Sequence, residues 1–144
     1  MNISELAKPC ILIADDDLDS FIQLKEALSQ CYPESNIEWV KDGKELLDYL
    51  ETKTAPSVIL LDLFMPRVNG YEALAEMKRH DKFSQIPVII LTISARADEV
   101  LKAYKLSANT YMKKPKGLTD LKDFMDAFKI YWPQIADLSA ETRE

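Results

Sequence analysis

Four stretches of the chain end in side chains able to do phosphate and metal chemistry. Asp15-Asp16-Asp17 follows an apolar run, Asp62 follows Val-Ile-Leu-Leu, Thr92 follows Val-Ile-Ile-Leu, and Lys114 ends the run Thr-Tyr-Met-Lys-Lys. Carboxylates gathered at one place repel: at 4 Å and an effective dielectric near 20, each pair costs on the order of 4 kcal/mol. Such a cluster calls for a counterion. A hard, oxygen-preferring cation such as Mg2+ accepts a site made of one or two carboxylates, waters and a phosphate. The carboxylates of Asp15, Asp16 and Asp62 are balanced by Mg2+ together with the Lys114 ammonium. A site neutralised in this way is poised to accept a phosphoryl group. If Asp62 becomes an aspartyl phosphate its charge goes from one negative to about two, and the cation, Lys114 and the Thr92 hydroxyl are the groups available to the new oxygens.

These residues meet only if the chain brings several strand ends together. The runs at 10–14, 58–61 and 88–91 are continuously apolar and rich in Ile, Leu and Val, the composition of strands buried on both faces. The runs at 37–41 and 110–113 are mixed, which suits sheet edges. Between them apolar residues recur every three to four positions: Phe21, Leu24, Leu28 and Cys31; Leu46, Leu47 and Leu50; Tyr71, Leu74 and Met77; Ala97, Val100, Leu101 and Tyr104; Leu121, Phe124, Met125 and Phe128. Strands alternating with helices predict an α/β fold, a (βα)5 doubly wound parallel sheet of order 2-1-3-4-5, flavodoxin-like. Ligands in such sheets gather outside the carboxyl ends of the strands where strand order reverses. Here the reversal lies between strands one and three, at Asp15, Asp16 and Asp62. Asp42-Gly43 and Asn69-Gly70 read as helix starts, and Asp19 as the cap of the first helix.

Taken together, Asp15-Asp16, Asp62 with a proline four residues on (LLDLFMPRVNGYE), Thr92 and Lys114-Pro115 resemble the receiver domain of bacterial two-component response regulators. The likeness spans about residues 9–132. It implies that Asp62 takes a phosphoryl group from the phosphohistidine of a sensor histidine kinase. It also implies that Asp16, Asp62 and the Phe64 backbone carbonyl ligate Mg2+, with Asp15 acting through a metal-bound water. Thr92 and Tyr111 would form the switch pair and Lys114 would bind the phosphoryl group. Family members commonly have a cis bond before the proline at position 115. The likeness is to stand-alone regulators that act on a downstream protein target through contacts, among them the phytochrome-associated subset. Phe64 and Ile93 are bulkier than the family's usual residues there, and Ser107 stands where a glycine is common.

The chain has 144 residues, 24 acidic against 18 basic, and a net charge of -6. This balance disfavours a nucleic-acid surface, which needs a basic patch. No apolar run approaches the roughly 20 residues needed to cross a bilayer, and no signal peptide is evident, so a cytoplasmic protein is expected. Cys10 and Cys31 read as two buried thiols in a reducing compartment. One receiver domain is expected over 1–132, with a loosely ordered polar tail over 133–144. Leu121, Phe124, Met125, Phe128, Tyr131 and Trp132 make a stripe wider than one helix face should bury, which suggests a homodimer or partner interface on the fourth helix, fifth strand and fifth helix.

Other classes fit less well. Asp15, Asp17, Asp19 and Glu26 approach EF-hand spacing, but Ser20 replaces the turn glycine and a strand precedes them. A haloacid-dehalogenase-type phosphatase would use Asp15 as nucleophile and Asp17 as acid/base, yet the fifth strand ends in lysines where it needs acids. A pseudo-receiver that only binds partners would not need the complete acidic site.

Overall fold

The computed structural model describes residues 8–92 and 110–142. Five strands, β1 (Cys10–Ala14), β2 (Asn36–Val40), β3 (Val58–Asp62), β4 (Val88–Thr92) and β5 (Thr110–Lys113), form one parallel sheet in the order β2-β1-β3-β4-β5. The order and the central placement of β1, β3 and β4 are those expected from composition. The helices are α1 (Leu18–Cys31), α2 (Gly43–Thr52), α3 (Gly70–Lys78) and α4 (Gly117–Thr142), with a 3-10 turn at Phe83–Gln85. The helix expected over 97–104 lies outside the described residues, so the fifth expected helix is α4 here.

Strand alternation divides the core into two layers. Ile11 and Ile13 face α1 and α4 with Leu24, Leu28, Phe124 and Phe128, whereas Leu12 and Ala14 face α2 and α3 with Leu46, Leu50 and Leu74. Every residue of β1 and β3 is buried, and each such Ile or Leu contributes about 1.5–3 kcal/mol by leaving water. That rigidity is what makes the strand ends fixed platforms.

Helix starts follow the capping chemistry with one correction. Asp42 caps α2 by accepting from Glu45 N, and Asn69 forms a capping box with Glu72 at α3. The cap of α1 is Asp17, not Asp19: the Asp17 carboxylate accepts from Asp19 N and from the Ser20 hydroxyl, while Asp19 sits in the first turn. Asp17 has the extended backbone that a cap needs, and these bonds hold its pKa below the ordinary value.

Three further expectations are corrected. The backbone past Trp132 is no loose tail but continues α4 to Thr142, through Pro133. Proline costs a helix one hydrogen bond, but its fixed φ is helical, and the glycine-free stretch that follows contains helix formers. Cys31 is exposed at the end of α1, and only Cys10 is buried. No cis peptide bond occurs among the described residues, so Lys114–Pro115 is trans. All six apolar residues of the α4 stripe join or pack against one core layer, because the aromatics pack on one another: Phe128 lies 5.8 Å from both Phe124 and Trp132, and Trp132 stacks on Tyr32 at 3.9 Å.

Candidate functional site

β1 and β3 are neighbours with Ala14 opposite Leu61, so the residues that leave their carboxyl ends emerge side by side. Carboxylate oxygens of Asp15, Asp16 and Asp62 lie within 4.8 Å of one another. Asp15 is fully buried, Asp62 is 6% exposed and Asp16 is exposed. Past the end of β5, Lys114 extends its ammonium back across the sheet edge, 2.9 Å from Asp15 Oδ2 and 3.3 Å from Asp62 Oδ2. The cluster inferred from strand ends therefore assembles from three strands, and Lys114 joins it from a position 99 residues beyond Asp15.

Backbone groups complete the frame. Asp15 Oδ1 accepts from Lys114 Nζ at 3.1 Å and from Asp17 N at 2.9 Å, and Asp62 Oδ1 accepts from Phe64 N at 3.2 Å. Asp15 Oδ2 touches the ammonium off the hydrogen-bond direction and is buried with no hydrogen-bond partner among the described residues. A buried carboxylate oxygen left in this state is costly. Its position beside two further carboxylates fits the oxygen-only ligand set that a hard divalent cation prefers. Burial is the dominant influence on Asp62 and pushes its carboxyl above the ordinary value, with Asp15 adding repulsion, against the opposing pull of Lys114 and the Phe64 N–H. Burial alone would lower the Lys114 ammonium, but its bond to Asp15 and the charges of Asp62 and Asp15 outweigh that and raise it. Lys114 is therefore a permanent cation here.

Two further candidates lie on β4 and β5. Thr92 is the last residue of β4, opposite Lys113 in register, one strand over from Asp62. Tyr111 is half-buried on β5 against the α2–α3 layer. Phe64, two residues after Asp62, is 53% exposed. With Leu18 and Ile22 of α1, it is one of the exposed large apolar residues. The EF-hand and phosphatase readings lose their parts: Cys10–Ala14 is a strand where an EF-hand needs a helix, and Asp17 is occupied as a helix cap.

Sequence reasoning missed a second set of residues around the loop that follows Asp62. Gly43 N donates to Val68 O at 2.8 Å, and a Cβ on Gly43 would lie 2.1 Å from that oxygen. A Cβ on Gly70 would lie 2.5 Å from the Asp62 carbonyl oxygen. These close approaches admit only glycine. Arg67, at φ 64, reaches Asp42 Oδ2 with both Nε (2.9 Å) and Nη2 (2.8 Å). Arg67 lies in the left-handed region, which glycine and asparagine visit more easily, and no sequence signal marks it. The Asp42-Gly43 pair marked a helix start but not this tie.

Comparison with known proteins places these features in company. The Response regulator receiver domain family matches residues 11–126. The probable methanogenesis regulatory protein FilR2 of Methanothrix harundinacea is 35% identical over 127 residues, covering 85% of this chain and 82% of its own. Response regulator Rcp1 of Synechocystis is 31% identical over 139 residues, 92% of this chain and 94% of its own. Its Mn2+-bound crystal structure superposes with a TM-score of 0.78, covering 86% of this chain and 94% of that one at 30% identity. The phosphorylated cyanobacterial phytochrome response regulator RcpA superposes at 0.80, with 29% identity, over 87% and 94% of the two chains. None of these relatives supports a phosphatase or a metal-buffering EF-hand.

Proposed function

Because the chain belongs to the response regulator receiver domain family, we propose that Asp62 is its phosphoacceptor, loaded by the phosphohistidine of a sensor histidine kinase in the presence of Mg2+. The observation that carries this reading is the Asp62 carboxylate at the end of β3, with oxygens of Asp15 and Asp16 within 4.8 Å and the Lys114 ammonium 3.3 Å away. A carboxylate oxygen of Asp62 attacks phosphorus, the P–N bond breaks, and the electron pair leaves on the imidazole nitrogen, which takes up a proton as needed. Lys114, the Thr92 hydroxyl and the Phe64 N–H are the donors for the transferred group. Asp15, Asp16, Asp62 and the Phe64 carbonyl would hold the Mg2+, Asp15 by way of a water. Bound there, Mg2+ supplies the positive charge that lets an anionic phosphoryl group approach three carboxylates.

The output is a change in what the domain binds. Thr92 and Tyr111 form the switch pair, reporting the phosphoryl group to β5 and so to a downstream protein target. In this reading the protein promotes only its own phosphorylation and dephosphorylation, and it works in the cytoplasm; no helix among the described residues is long and apolar enough to cross a membrane. Residues 1–132 make the receiver and 133–144 a polar extension of it. A homodimer or partner contact through the helix expected over 97–104, β5 and α4 is supported by Ile130, 73% exposed on α4; sedimentation of Ile130→Asp against the parent protein tests it, and unchanged association removes this face.

Incubation with acetyl phosphate or phosphoramidate and Mg2+, read by intact mass, tests the central claim. A single phosphoryl adduct is expected, lost completely in Asp62→Asn. An adduct on Asp15, or none with any donor, overturns the reading.

A further inference from the structure

We propose that Trp39 is a positioning residue for the acidic site, its indole N–H fixing the peptide between Asp15 and Asp16 and thereby setting the site's affinity for its divalent cation; this rests on the metal reading above. The ladder between β1 and β2 ends at Ala14 opposite Val40. One more backbone bond follows, Asp15 N to Val40 O at 3.0 Å. Beyond it the partner strand is gone, because Lys41 and Asp42 turn into α2. The Asp15 carbonyl thus reaches the point where a parallel neighbour would supply the next evenly spaced donor. The Trp39 side chain supplies one, Nε1 donating to Asp15 O at 2.8 Å.

The indole is itself held. Phe21 of α1 stacks on it at 4.6 Å with the two planes 6° apart, and the Lys41 ammonium lies 5.4 Å from the Trp39 ring centroid. A ring stacked in this way has little freedom to turn its N–H away. The oxygen it binds belongs to the planar Asp15–Asp16 peptide, so one bond constrains two of the three clustered carboxylates. Asp15 has further anchors in Lys114 and Asp17 N. Asp16 is exposed, so its direction depends largely on the backbone from which it departs. Without the indole bond, cation binding must also order that peptide, and affinity falls through lost preorganisation.

Trp39 also packs α1 against the sheet edge, so truncating it would confuse positioning with stability. The test removes the N–H and keeps the shape. Trp39 and Trp132 are the two tryptophans of the chain, so a Trp132→Phe protein carries one, and biosynthetic replacement of that residue by benzothienylalanine puts sulfur where the N–H was. Mg2+ binding to both proteins is measured by calorimetry, with urea unfolding in chelator as the control for folding. The expected result is a Kd raised about three- to tenfold, the effect of one net hydrogen bond, while the protein remains folded, and an indole N–H resonance in the Trp132→Phe protein that shifts saturably as Mg2+ is added. Equal affinities in the two proteins overturn the role of Trp39 alone. If the Trp132→Phe protein binds no Mg2+, the metal reading falls and this proposal with it.

Discussion

Two carboxylates near the carboxyl end of the sheet are each gripped by a cation from a distant part of the chain, and their pKa values are displaced in opposite directions. Asp42 is 6% exposed, and its oxygens are fully engaged: Oδ1 accepts from Glu45 N, and Oδ2 takes both Nε and Nη2 of Arg67. Burial opposes its charge, but the bonds from Glu45 and Arg67 prevail, and its pKa is lowered. Asp62, equally buried by surface exposure, shares the Lys114 ammonium with Asp15, and burial prevails, so its pKa is raised. Both oxygens of each carboxylate accept hydrogen bonds, so the difference lies in the cation: Asp42 takes two nitrogens of Arg67, whereas Asp62 shares a single ammonium with the neighbouring Asp15 carboxylate, which repels it. A closed pair builds structure, whereas an open one keeps chemistry available, in line with the clustering of perturbed carboxylates at functional sites.

Cutting the open pair should have the largest effect. Lys114→Met leaves Asp15 and Asp62 buried without their cation, and urea unfolding in chelator should show a loss of about 3 kcal/mol, part of it restored by Mg2+. A loss below about 1 kcal/mol would mean that Lys114 behaves as a surface charge and would dissolve the contrast.

Matched substitutions by asparagine test the titration itself. Asp42 has a lowered folded pKa, so its stabilisation is present above the ordinary value of 3.8 and is lost as pH falls through the folded value. Asp42→Asn keeps a capping side chain, loses about 1 kcal/mol at pH 7, and should flatten the acid limb of the stability curve. Asp62 has a raised folded pKa, so the stability it confers is present below 3.8 and is lost as pH rises through the folded value. Asp62→Asn should therefore raise the urea midpoint of the metal-free protein at pH 7 and remove that decline. Stability differences between variant and parent that change with pH in the same direction for both substitutions would break the comparison.

The smallest effect is expected at Arg67→Gly. Loss of an ion pair whose arginine side chain is 54% exposed is offset by relief of the left-handed backbone at φ 64. The net change should stay within about 0.5 kcal/mol. A larger loss would make the Arg67–Asp42 tie as important to folding as the Lys114 cluster.

The parts readable in advance were those in which one residue's type acts locally. Apolar runs gave the strands, Asp42-Gly43 and Asn69-Gly70 gave helix starts, and carboxylates after buried strands gave the acidic cluster. Local rules failed where neighbours compete or partners are remote. Asp17 and Asp19 both suit a cap, and only the backbone conformation chose Asp17. The polar run after Trp132 reads as a loose tail, yet the helix continues through Pro133 to Thr142.

By itself, the sequence of this protein determined the alternation of strands and helices, and with it the edge at which Asp15, Asp16, Asp62 and Lys114 emerge, because period and side-chain chemistry are carried along the chain. Tertiary structure alone decided which carboxylate is held by two nitrogens of one cation and which shares its cation with a second carboxylate. Burial and hydrogen-bond capacity are properties of the assembled neighbourhood: Trp39 meets the Asp15 carbonyl across 24 residues, Arg67 meets Asp42 across 25, and Lys114 meets Asp62 across 52.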